Sequence, residues 1–302
     1  MPVLKELRDY EPCANVQRLP KVFLMPATLY VVATPIGNLA DISARALEVL
    51  ESVKLIACED TRTTRRLLTR HRIRTRTISY HEHNEHQRAP QLVKRLHSGE
   101  DLALVSDAGT PGISDPGYRL VAAARESGVP VRAVPGPSAP IAALSVSGLP
   151  TSSFCFWGFL PSHGAARTKA IESLVSVTHT TILFEAARRA PALLEALSQR
   201  LGPRPAFLAR EMTKVHEEHQ NGTLTELAVW AREKSLKGEL TLIIGPAETE
   251  VRSSLTPDEI AKRYSELTVE GMKRREAVKL LARETGLPTR FLYHQLLGPG
   301  SK

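Results

Sequence analysis

The sequence predicts an α/β protein with two α/β domains, a cofactor cleft between them and a small helical module at the C-terminus. Short apolar runs alternate with helix-like segments from residue 29 to residue 147, the pattern of a parallel sheet with crossover helices. A second, more mixed series begins near Thr151, and only helical patterns follow residue 256. The length of 302 residues agrees with two domains, because single cores rarely grow beyond ~250 residues.

In the first domain, runs of about four apolar residues bounded by turn residues predict five strands, and periodic segments between them predict five helices. The predicted strands cover 29–33, 55–58, 77–80, 102–105 and 131–134. The predicted helices cover 62–70, 87–98, 118–127, 137–147 and a segment that ends near residue 52. Asp41 or Ser43 is suited to cap this last helix.

In the second domain the same criteria predict strands over 154–159, 180–184, 206–209 and 240–244, with a polar segment over 211–220. Helices are predicted over 167–175, 191–201 and 224–233. The C-terminal module is predicted to contain three helices, the first with Asp258 and Glu259 in its first turn. The later two cover 273–284 and 288–297.

These patterns divide the chain into four segments. Residues 1–28 have no clear period and are interpreted as a loose leader without chemistry. The N-terminal α/β domain covers 29–149, the C-terminal α/β domain 150–250 and the basic helical module 251–302.

Composition and charge narrow the class of protein. The net charge of +8 lies mainly in the first domain and the C-terminal module, which favours a polyanionic partner. The uncharged stretch 133–166 is interrupted by prolines, so we expect no membrane span and no membrane partner. The three cysteines are far apart, which predicts neither disulfides nor a zinc site and agrees with a cytoplasmic location.

Three strand-to-helix loops of the first domain are rich in glycine and proline, over 34–38, 106–117 and 135–139. In a parallel sheet such loops leave one edge and can converge on one ligand. The sequence lacks a P-loop or dinucleotide motif, and prolines remove the N–H donors that a phosphate needs. We therefore expect a ligand held by backbone carbonyls and apolar surface, with Asp107 and Asp115 bracing the second loop.

A candidate site outside these loops is the segment Glu59-Asp60-Thr61-Arg62, which follows the second predicted strand and begins a predicted helix. Carboxylates at that position often only stabilise the helix N-terminus. The residues that follow are unusual, since 62–76 contains seven arginines and no acid. An all-positive run beside the ligand edge is typical of contact with a nucleic-acid backbone.

The histidines of 81–86 do not have the spacing of a metal site, so we predict no bound metal. They follow a predicted strand at the same sheet edge as the loops. His81 or His83 is therefore a candidate proton acceptor or substrate contact.

Several of these segments together resemble the ribosomal RNA small subunit methyltransferase I family, within the tetrapyrrole methylase-like (class III) methyltransferase superfamily. The matching segments are 33–39, 59–62, 80–85, 106–117, 135–139, 158–161 and 209–214. One departure is Glu185-Ala186-Ala187-Arg188-Arg189, where the family often has a proline and a histidine.

The resemblance implies S-adenosylmethionine bound between the two domains, and methyl transfer to the ribose 2′-hydroxyl of a decoding-region cytidine in 16S rRNA. It implies small-subunit rRNA as the partner, as a 30S subunit or an assembly intermediate, and a homodimer. By position, the cofactor-binding residues are Ile36, Thr110, Ile113, Ser138, Ala139, Phe184, Ala209 and Gly245. RNA-binding residues are assigned in the arginine run and the basic module: Arg65, Arg66, Arg70, Arg72, Lys273 and Arg274.

The catalytic residues follow from the chemistry. A ribose hydroxyl is a poor nucleophile until its proton is removed. Glu59 or Asp60, oriented by Arg62, is the first candidate base and His81 the second, although positioning alone is a further alternative. Two other functions stay open: methylation of a tetrapyrrole precursor, and RNA binding without catalysis.

Overall fold

The computed structural model describes residues 27–247, 256–269, 271–285, 287 and 289–297. The predicted leader over 1–28 therefore lies outside the described residues, except for Ala27 and Thr28. Among the described helices, none is both long and apolar enough to cross a membrane.

The first sheet contains five parallel strands. They are β1 (Leu29–Val32), β2 (Leu55–Cys58), β3 (Thr77–Ser79), β4 (Leu102–Val105) and β5 (Val131–Val134). The order β3-β2-β4-β1-β5 is parallel at every pairing. The connecting helices are α1 (Ala44–Ser52), α2 (Thr61–Arg70), α3 (Glu85–His97) and α4 (Tyr118–Glu126), and α5 (Ala139–Val146) follows β5.

The central strands β2 and β4 of the first sheet are buried on both faces, as expected for a parallel sheet with crossover helices. Successive side chains of a strand point to opposite faces, and β4 shows the consequence. Leu102 and Leu104 belong to a core cluster with residues of α3 and α4, whereas Ala103 and Val105 belong to a second cluster with residues of α1 and α2. The five apolar runs predicted as strands of a parallel sheet are confirmed as strands.

The second sheet is mixed, as the sequence predicts. Its strands are β6 (Phe154–Phe159), β7 (Thr180–Ala186), β8 (Pro205–Arg210), β9 (Glu218–Thr223) and β10 (Glu239–Ile244). In the order β6-β7-β10-β8-β9 only β6 and β7 are parallel. The helices between the strands are α6 (Gly164–Ser173), α7 (Ala190–Leu201) and α8 (Leu224–Arg232).

Helix α5 connects the two sheets physically. It follows the last strand of the first sheet, yet Ala143 and Leu144 pack in one cluster with Ile182 and Ile243 of the second sheet. The opposite face of the second sheet packs on α6, α7 and α8. Helix α5 is therefore linked covalently to the first sheet and packed against the second.

The C-terminal module contains the helices α9 (Pro257–Val269), α10 (Arg274–Thr285) and α11 (Thr289–Leu297). They bury their own small core, in which Ile260, Val278 and Leu292 are at most 2% exposed. The predicted helical module is therefore confirmed, with helix bounds within one or two residues of the sequence pattern.

Strand β9 differs most from the sequence pattern. The sequence of β9 is Glu-His-Gln-Asn-Gly-Thr, which lies partly in the predicted polar segment and has no apolar alternation. It nevertheless pairs with β8 over six residues. An edge strand can be polar when its faces are open to solvent, and none of the six residues of β9 is buried.

Candidate active site

The three glycine- and proline-rich loops of the first sheet are joined by direct hydrogen bonds. Thr34 and Gly109 exchange backbone hydrogen bonds of 2.8 and 3.0 Å. The Thr110 hydroxyl donates to the Pro137 carbonyl at 3.2 Å. Gly109 has a φ of +80°, a conformation that glycine adopts without strain. The predicted convergence of these loops is therefore present in the structure.

The second sheet faces these loops with the ends of four strands, β6, β7, β8 and β10. Leu240 pairs with Arg210 and with Glu185, both near the carboxyl ends of their strands. Because β10 is antiparallel to β7 and β8, its amino end lies beside their carboxyl ends. The beginning of β10 therefore reaches the loops of the first sheet together with the ends of β7 and β8.

A cavity of ≈ 300 Å³ lies between the two sheets at this position. Residues from both sheets line it: Ile36, Glu59, Asp107, Ala108, Gly109, Thr110, Ile113, Ser114, Asp115, Ser138, Ala139, Pro140, Phe159, Phe184, Ala209, Glu211, Met212, Lys214, Glu239, Leu240 and Thr241. Its size is at the lower end of the range for small-molecule sites. The lining combines apolar side chains with five carboxylates and a single lysine.

The lysine does not balance the carboxylates. Lys214 Nζ lies 2.9 Å from Glu211 Oε1 and forms an ion pair with it. Glu59, Asp107, Asp115 and Glu239 are thus left as net negative groups around the cavity. A cavity of this charge favours a cationic ligand over a phosphate.

Burial and mutual repulsion raise the pKa values of three of these carboxyls. Burial is the main cause for Glu59, and neighbouring Asp107 adds to the rise in its pKa. The pKa of Asp107 is raised by burial and by Asp60. Burial, with Glu59 as the next cause, raises the pKa of Asp115 to about 6. A carboxylate with a raised pKa is a better proton acceptor near neutral pH.

Asp60 and Arg62 form a separate pair outside the cavity lining. Asp60 caps α2 by accepting the Arg62 backbone N–H at 2.8 Å, and the Arg62 guanidinium lies 2.8 Å from Asp60 Oδ2. These bonds lower the Asp60 pKa to about 2, which makes this carboxylate a weak base. Arg62 therefore orients Asp60, whereas Glu59 is the member of the predicted pair that faces the cavity.

His81 is held by Asn84. The His81 backbone N–H donates to Asn84 Oδ1 at 2.9 Å, which directs the Asn84 amide Nδ2 toward His81 Nε2 at 3.1 Å. Since an amide N–H faces Nε2, the neutral ring carries its proton on Nδ1. Nδ1 is buried and has no hydrogen-bond partner in the described ranges. Neither ring nitrogen can then accept a substrate proton, because Nδ1 already carries one and Nε2 accepts from Asn84. This arrangement favours Glu59 over His81 as the base.

The structure brings together seven of the eight predicted cofactor-binding residues at the cavity: Ile36, Thr110, Ile113, Ser138, Ala139, Phe184 and Ala209. Gly245 is the exception. Its N–H donates to the Pro205 carbonyl at 2.7 Å, at the beginning of β8. Because β10 runs antiparallel to β8, its carboxyl end lies at the opposite edge of the sheet from the cavity.

Sequence reasoning missed the contribution of β10. Glu239, Leu240 and Thr241 line the cavity, but the sequence predicts 240–244 only as a strand and assigns no site to its beginning. Ligand sites are expected at the carboxyl ends of parallel strands, but the antiparallel strand β10 has its amino end at that edge of the sheet. Met212 and Lys214 also line the cavity, and the sequence did mark them, because they lie in the matching segment 209–214.

The arginine run has an exposed face on α2. Arg62, Arg65, Arg66 and Arg70 are all exposed, while Leu67 and Leu68 are buried. No acidic partner of Arg65, Arg66 or Arg70 occurs in the described part of the chain. Helix α2 begins two residues after Glu59, so this face extends about 15 Å away from the cavity at 1.5 Å per residue.

The remaining predicted RNA-binding residues are also exposed. Arg72 follows α2 with a φ of +60°. Lys273 and Arg274 lie at the beginning of α10 in the C-terminal module, and both are exposed.

The segment that departs from the family pattern forms a buried ion pair. The carboxylate of Glu185 is fully buried, accepts from the Arg189 guanidinium at 2.6 Å and lies 3.7 Å from Arg167. The adjacent Phe184 lines the cavity. The segment thus supports the cavity wall through Glu185 while its arginines stay outside the lining.

The histidines predicted not to bind a metal lie in the described part of the chain. His81 and His83 pack edge to face, with ring centroids 5.9 Å apart. Within the ranges that the structure describes, no group of three histidine, cysteine or acidic side chains is suited to hold a metal ion.

Known proteins share both the sequence and the fold of this chain. The model of the family "Tetrapyrrole (Corrin/Porphyrin) Methylases" matches residues 28–228. A Mesorhizobium japonicum protein named "Ribosomal RNA small subunit methyltransferase I" is 47% identical over 276 residues, which cover 91% of this chain and 92% of the relative. A Synechocystis protein of the same name is 47% identical, with 88% and 95% covered.

Solved structures share the fold at low identity. Uroporphyrin-III-C-methyltransferase from Thermus thermophilus matches 72% of this chain and 94% of its own, with a TM-score of 0.53 and 20% identity. A diphthine synthase matches 72% and 90%, with a TM-score of 0.57 and 16% identity. At these identities the similarity establishes the fold alone.

Proposed function

The chain belongs to the ribosomal RNA small subunit methyltransferase I family of tetrapyrrole methylases, and from this premise we propose that it methylates the ribose 2′-hydroxyl of a cytidine in the decoding region of 16S rRNA. It is a methyltransferase that uses S-adenosylmethionine. The observation that carries the proposal is the anionic cavity between the sheets, with Glu59 in its wall and the arginine face of α2 beside it.

The cavity lining fits S-adenosylmethionine. A sulfonium and an ammonium are both cations, and Glu59, Asp107, Asp115 and Glu239 supply unbalanced negative charge. The apolar walls formed by Ile36, Ile113, Phe184 and Leu240 suit an adenine ring. The sequence predicts a ligand held by backbone carbonyls and apolar surface. S-adenosylmethionine fits that prediction, and its positive charges also match the carboxylates of the cavity lining.

The chain's own residues contribute positioning and a base. The bound cofactor supplies a methyl group that is activated for in-line displacement. The two walls hold the acceptor hydroxyl and exclude water, which is the main contribution expected for such a transfer. Glu59 would take the proton of the acceptor hydroxyl during this transfer. Its raised pKa suits this role.

The arginine face supports a polynucleotide substrate. Arg65, Arg66 and Arg70 project on one side of α2, which begins at the cavity wall. Phosphates along an RNA strand match a row of exposed guanidiniums. Arg72 and, in the C-terminal module, Lys273 and Arg274 would add contacts with the same backbone.

A homodimer is part of the proposal. Large exposed apolar side chains concentrate on α5 and on the edge strand β6: Ile141, Val146, Phe154 and Trp157 are 38–54% exposed. An apolar edge strand beside an apolar helix is suited to contact with a second copy of the chain. The dimer would act in the cytoplasm on the 30S subunit or on an assembly intermediate.

Two other functions make different predictions. A tetrapyrrole methylase would share the fold and cofactor, but it would not need the arginine face of α2. An RNA-binding protein without catalysis would not need the anionic cavity. Methylation of a porphyrin precursor would support the first alternative, and failure to bind S-adenosylmethionine in calorimetry would support the second.

The proposal is tested by methyl transfer with purified components. The protein is incubated with S-adenosylmethionine labelled in the methyl group and with 30S subunits, 16S rRNA, 50S subunits or a porphyrin precursor. We expect label in one nucleotide of 16S rRNA and none in 50S subunits. Label in the porphyrin alone, or in no substrate, would contradict the proposal.

A further inference from the structure

A contact between the two halves of the site lies at the cavity but involves none of the predicted site residues. The backbone N–H of Asn38, in the first loop of the first sheet, donates to the Thr213 hydroxyl oxygen at 2.9 Å. Thr213 lies in the loop after β8 in the second sheet. The neighbours Ile36, Met212 and Lys214 all line the cavity, so the bond joins opposite walls.

The two loops approach each other closely at Gly37. A Cβ atom at Gly37 would lie 2.6 Å from Thr213 Oγ1, 2.6 Å from Lys214 Cγ and 2.8 Å from the Met212 carbonyl oxygen. Real Cβ contacts are not this short, and the Met212 oxygen belongs to the backbone. Only glycine therefore permits the observed distance between the walls.

The loop that carries Thr213 is held in an unusual conformation. Glu211 and Thr213 have φ values of +52° and +65°, which cost energy for residues other than glycine. Side-chain bonds maintain this conformation. The Thr213 N–H donates to Glu217 Oε2 at 2.7 Å, and Lys214 Nζ lies 2.9 Å from Glu211 Oε1. The loop thus presents the Thr213 hydroxyl in a fixed place.

From this geometry we infer that Thr213 is a positioning residue. Its hydrogen bond with the Asn38 N–H, next to Gly37, sets the distance between the cavity walls. That distance in turn controls the affinity of the protein for S-adenosylmethionine. The inference rests on the proposed function. A pre-set cavity binds without the cost of closing the walls first. When only a fraction of molecules has the closed geometry, the apparent Kd rises by the inverse of that fraction.

The test compares three substitutions in the full-length protein. Thr213→Val removes the acceptor at nearly constant volume, Thr213→Ser keeps it, and Gly37→Ala pushes the loops apart. Thr151→Val is the matched control, since Thr151 is exposed and has no side-chain hydrogen bond in the described part of the chain. Calorimetry gives the Kd for S-adenosylmethionine, stopped-flow mixing gives the dissociation rate, and steady-state kinetics give KM and kcat.

We expect Thr213→Val to raise the Kd about 3- to 10-fold, the range for one hydrogen bond. The dissociation rate should rise with it, and KM for the donor should change more than kcat. Thr213→Ser and Thr151→Val should resemble the wild type, and Gly37→Ala should weaken binding at least as much as Thr213→Val. The valine variant decides the question even if Gly37→Ala does not fold.

Two results would overturn the inference: a Kd of Thr213→Val within twofold of the wild type, or equal weakening by valine and serine. The second result would mean that the hydroxyl is not what acts. A wild-type protein that does not bind S-adenosylmethionine would instead refute the proposed function, so the two failures are distinguishable.

Discussion

The backbone N–H of Asp60 donates a hydrogen bond to the carboxylate Oδ1 of Asp107 at 3.0 Å. This bond joins the loop after β2 to the loop after β4. It also fixes Glu59, the residue before Asp60, in the cavity wall beside Asp107. The sequence predicts that Asp107 braces its own turn, but the structure shows that it braces the neighbouring loop. Through this bond Asp107 helps to position Glu59, the proposed base.

Glu59→Gln is expected to reduce the rate of methyl transfer about 10²- to 10⁴-fold, the usual contribution of a general base. Glutamine has nearly the same size as glutamate and can keep the same neighbours, but its amide cannot accept the proton. Single-turnover methylation of 30S subunits measures the chemical step directly. In the wild type the rate should rise with pH as Glu59 ionises, because its pKa is raised.

Asp60→Asn is the matched control for this substitution. Asparagine also caps helices well, and an exposed ion pair such as Asp60–Arg62 contributes little to stability. We expect a single-turnover rate within a few-fold of the wild type for Asp60→Asn. Near-normal rates in Glu59→Gln, Asp60→Asn and His81→Ala would together exclude all three as the base.

Asp115→Asn is expected to stabilise the protein at pH 8 but not at pH 4. The pKa of Asp115 is raised to about 6 by burial and by the carboxylates of Glu59, Asp107 and Glu239, which the Ser106 hydroxyl only partly offsets. Between pH ~4 and 6 the folded state therefore binds more protons than the unfolded chain, so this group's contribution falls as pH rises through that window. Thermal unfolding across pH measures the difference, and a constant difference in Tm would refute the interpretation.

Neutralising the arginine face should reduce the salt dependence of RNA binding. Removing one arginine–phosphate interaction lowers the slope of log K against log salt by about 0.7 to 0.9. The triple variant Arg65→Gln, Arg66→Gln, Arg70→Gln should therefore have a slope smaller by about 2 to 3. Arg200→Gln on α7, whose side chain is 57% exposed, should leave the slope unchanged. An equal slope in the triple variant and the wild type would exclude this face as the RNA-binding surface.

A single charge on the α5 surface should dissociate the proposed dimer. Val146 on α5 is 54% exposed and Val229 on α8 is 53% exposed, so they form a matched pair. We expect analytical ultracentrifugation to give twice the mass of one chain for the wild type and for Val229→Lys, and the mass of one chain for Val146→Lys. A monomeric wild type would contradict the proposed dimer.

The sequence predicts the centre of the first sheet well because β2 and β4 are buried on both faces. Runs such as 102–105 are continuously apolar, and the pattern leaves little choice of structure. Strand β9 is missed because its residues are polar and its place at the edge depends on pairing with β8. Apolar periodicity in the sequence cannot identify a strand whose position is set by pairing with its neighbour.

The site is predictable where it is made of parallel strand ends. Thr110, Ser138 and Ala139 follow such strands and line the cavity. Gly245 and Glu239 lie at opposite ends of the antiparallel strand β10, and only the direction of that strand decides which end faces the cavity. Likewise, the bonds of Asp60 to Arg62 and of His81 to Asn84 depend on side-chain geometry that spacing does not reveal.

The most direct test of the central claim is nucleoside mass spectrometry of 16S rRNA from host cells that lack this protein. The rRNA should lose one 2′-O-methylcytidine in the decoding region. The wild-type chain should restore it, and the Glu59→Gln chain should not. An unchanged set of methylated nucleosides in the deletion strain would contradict the claim that this protein methylates small-subunit rRNA.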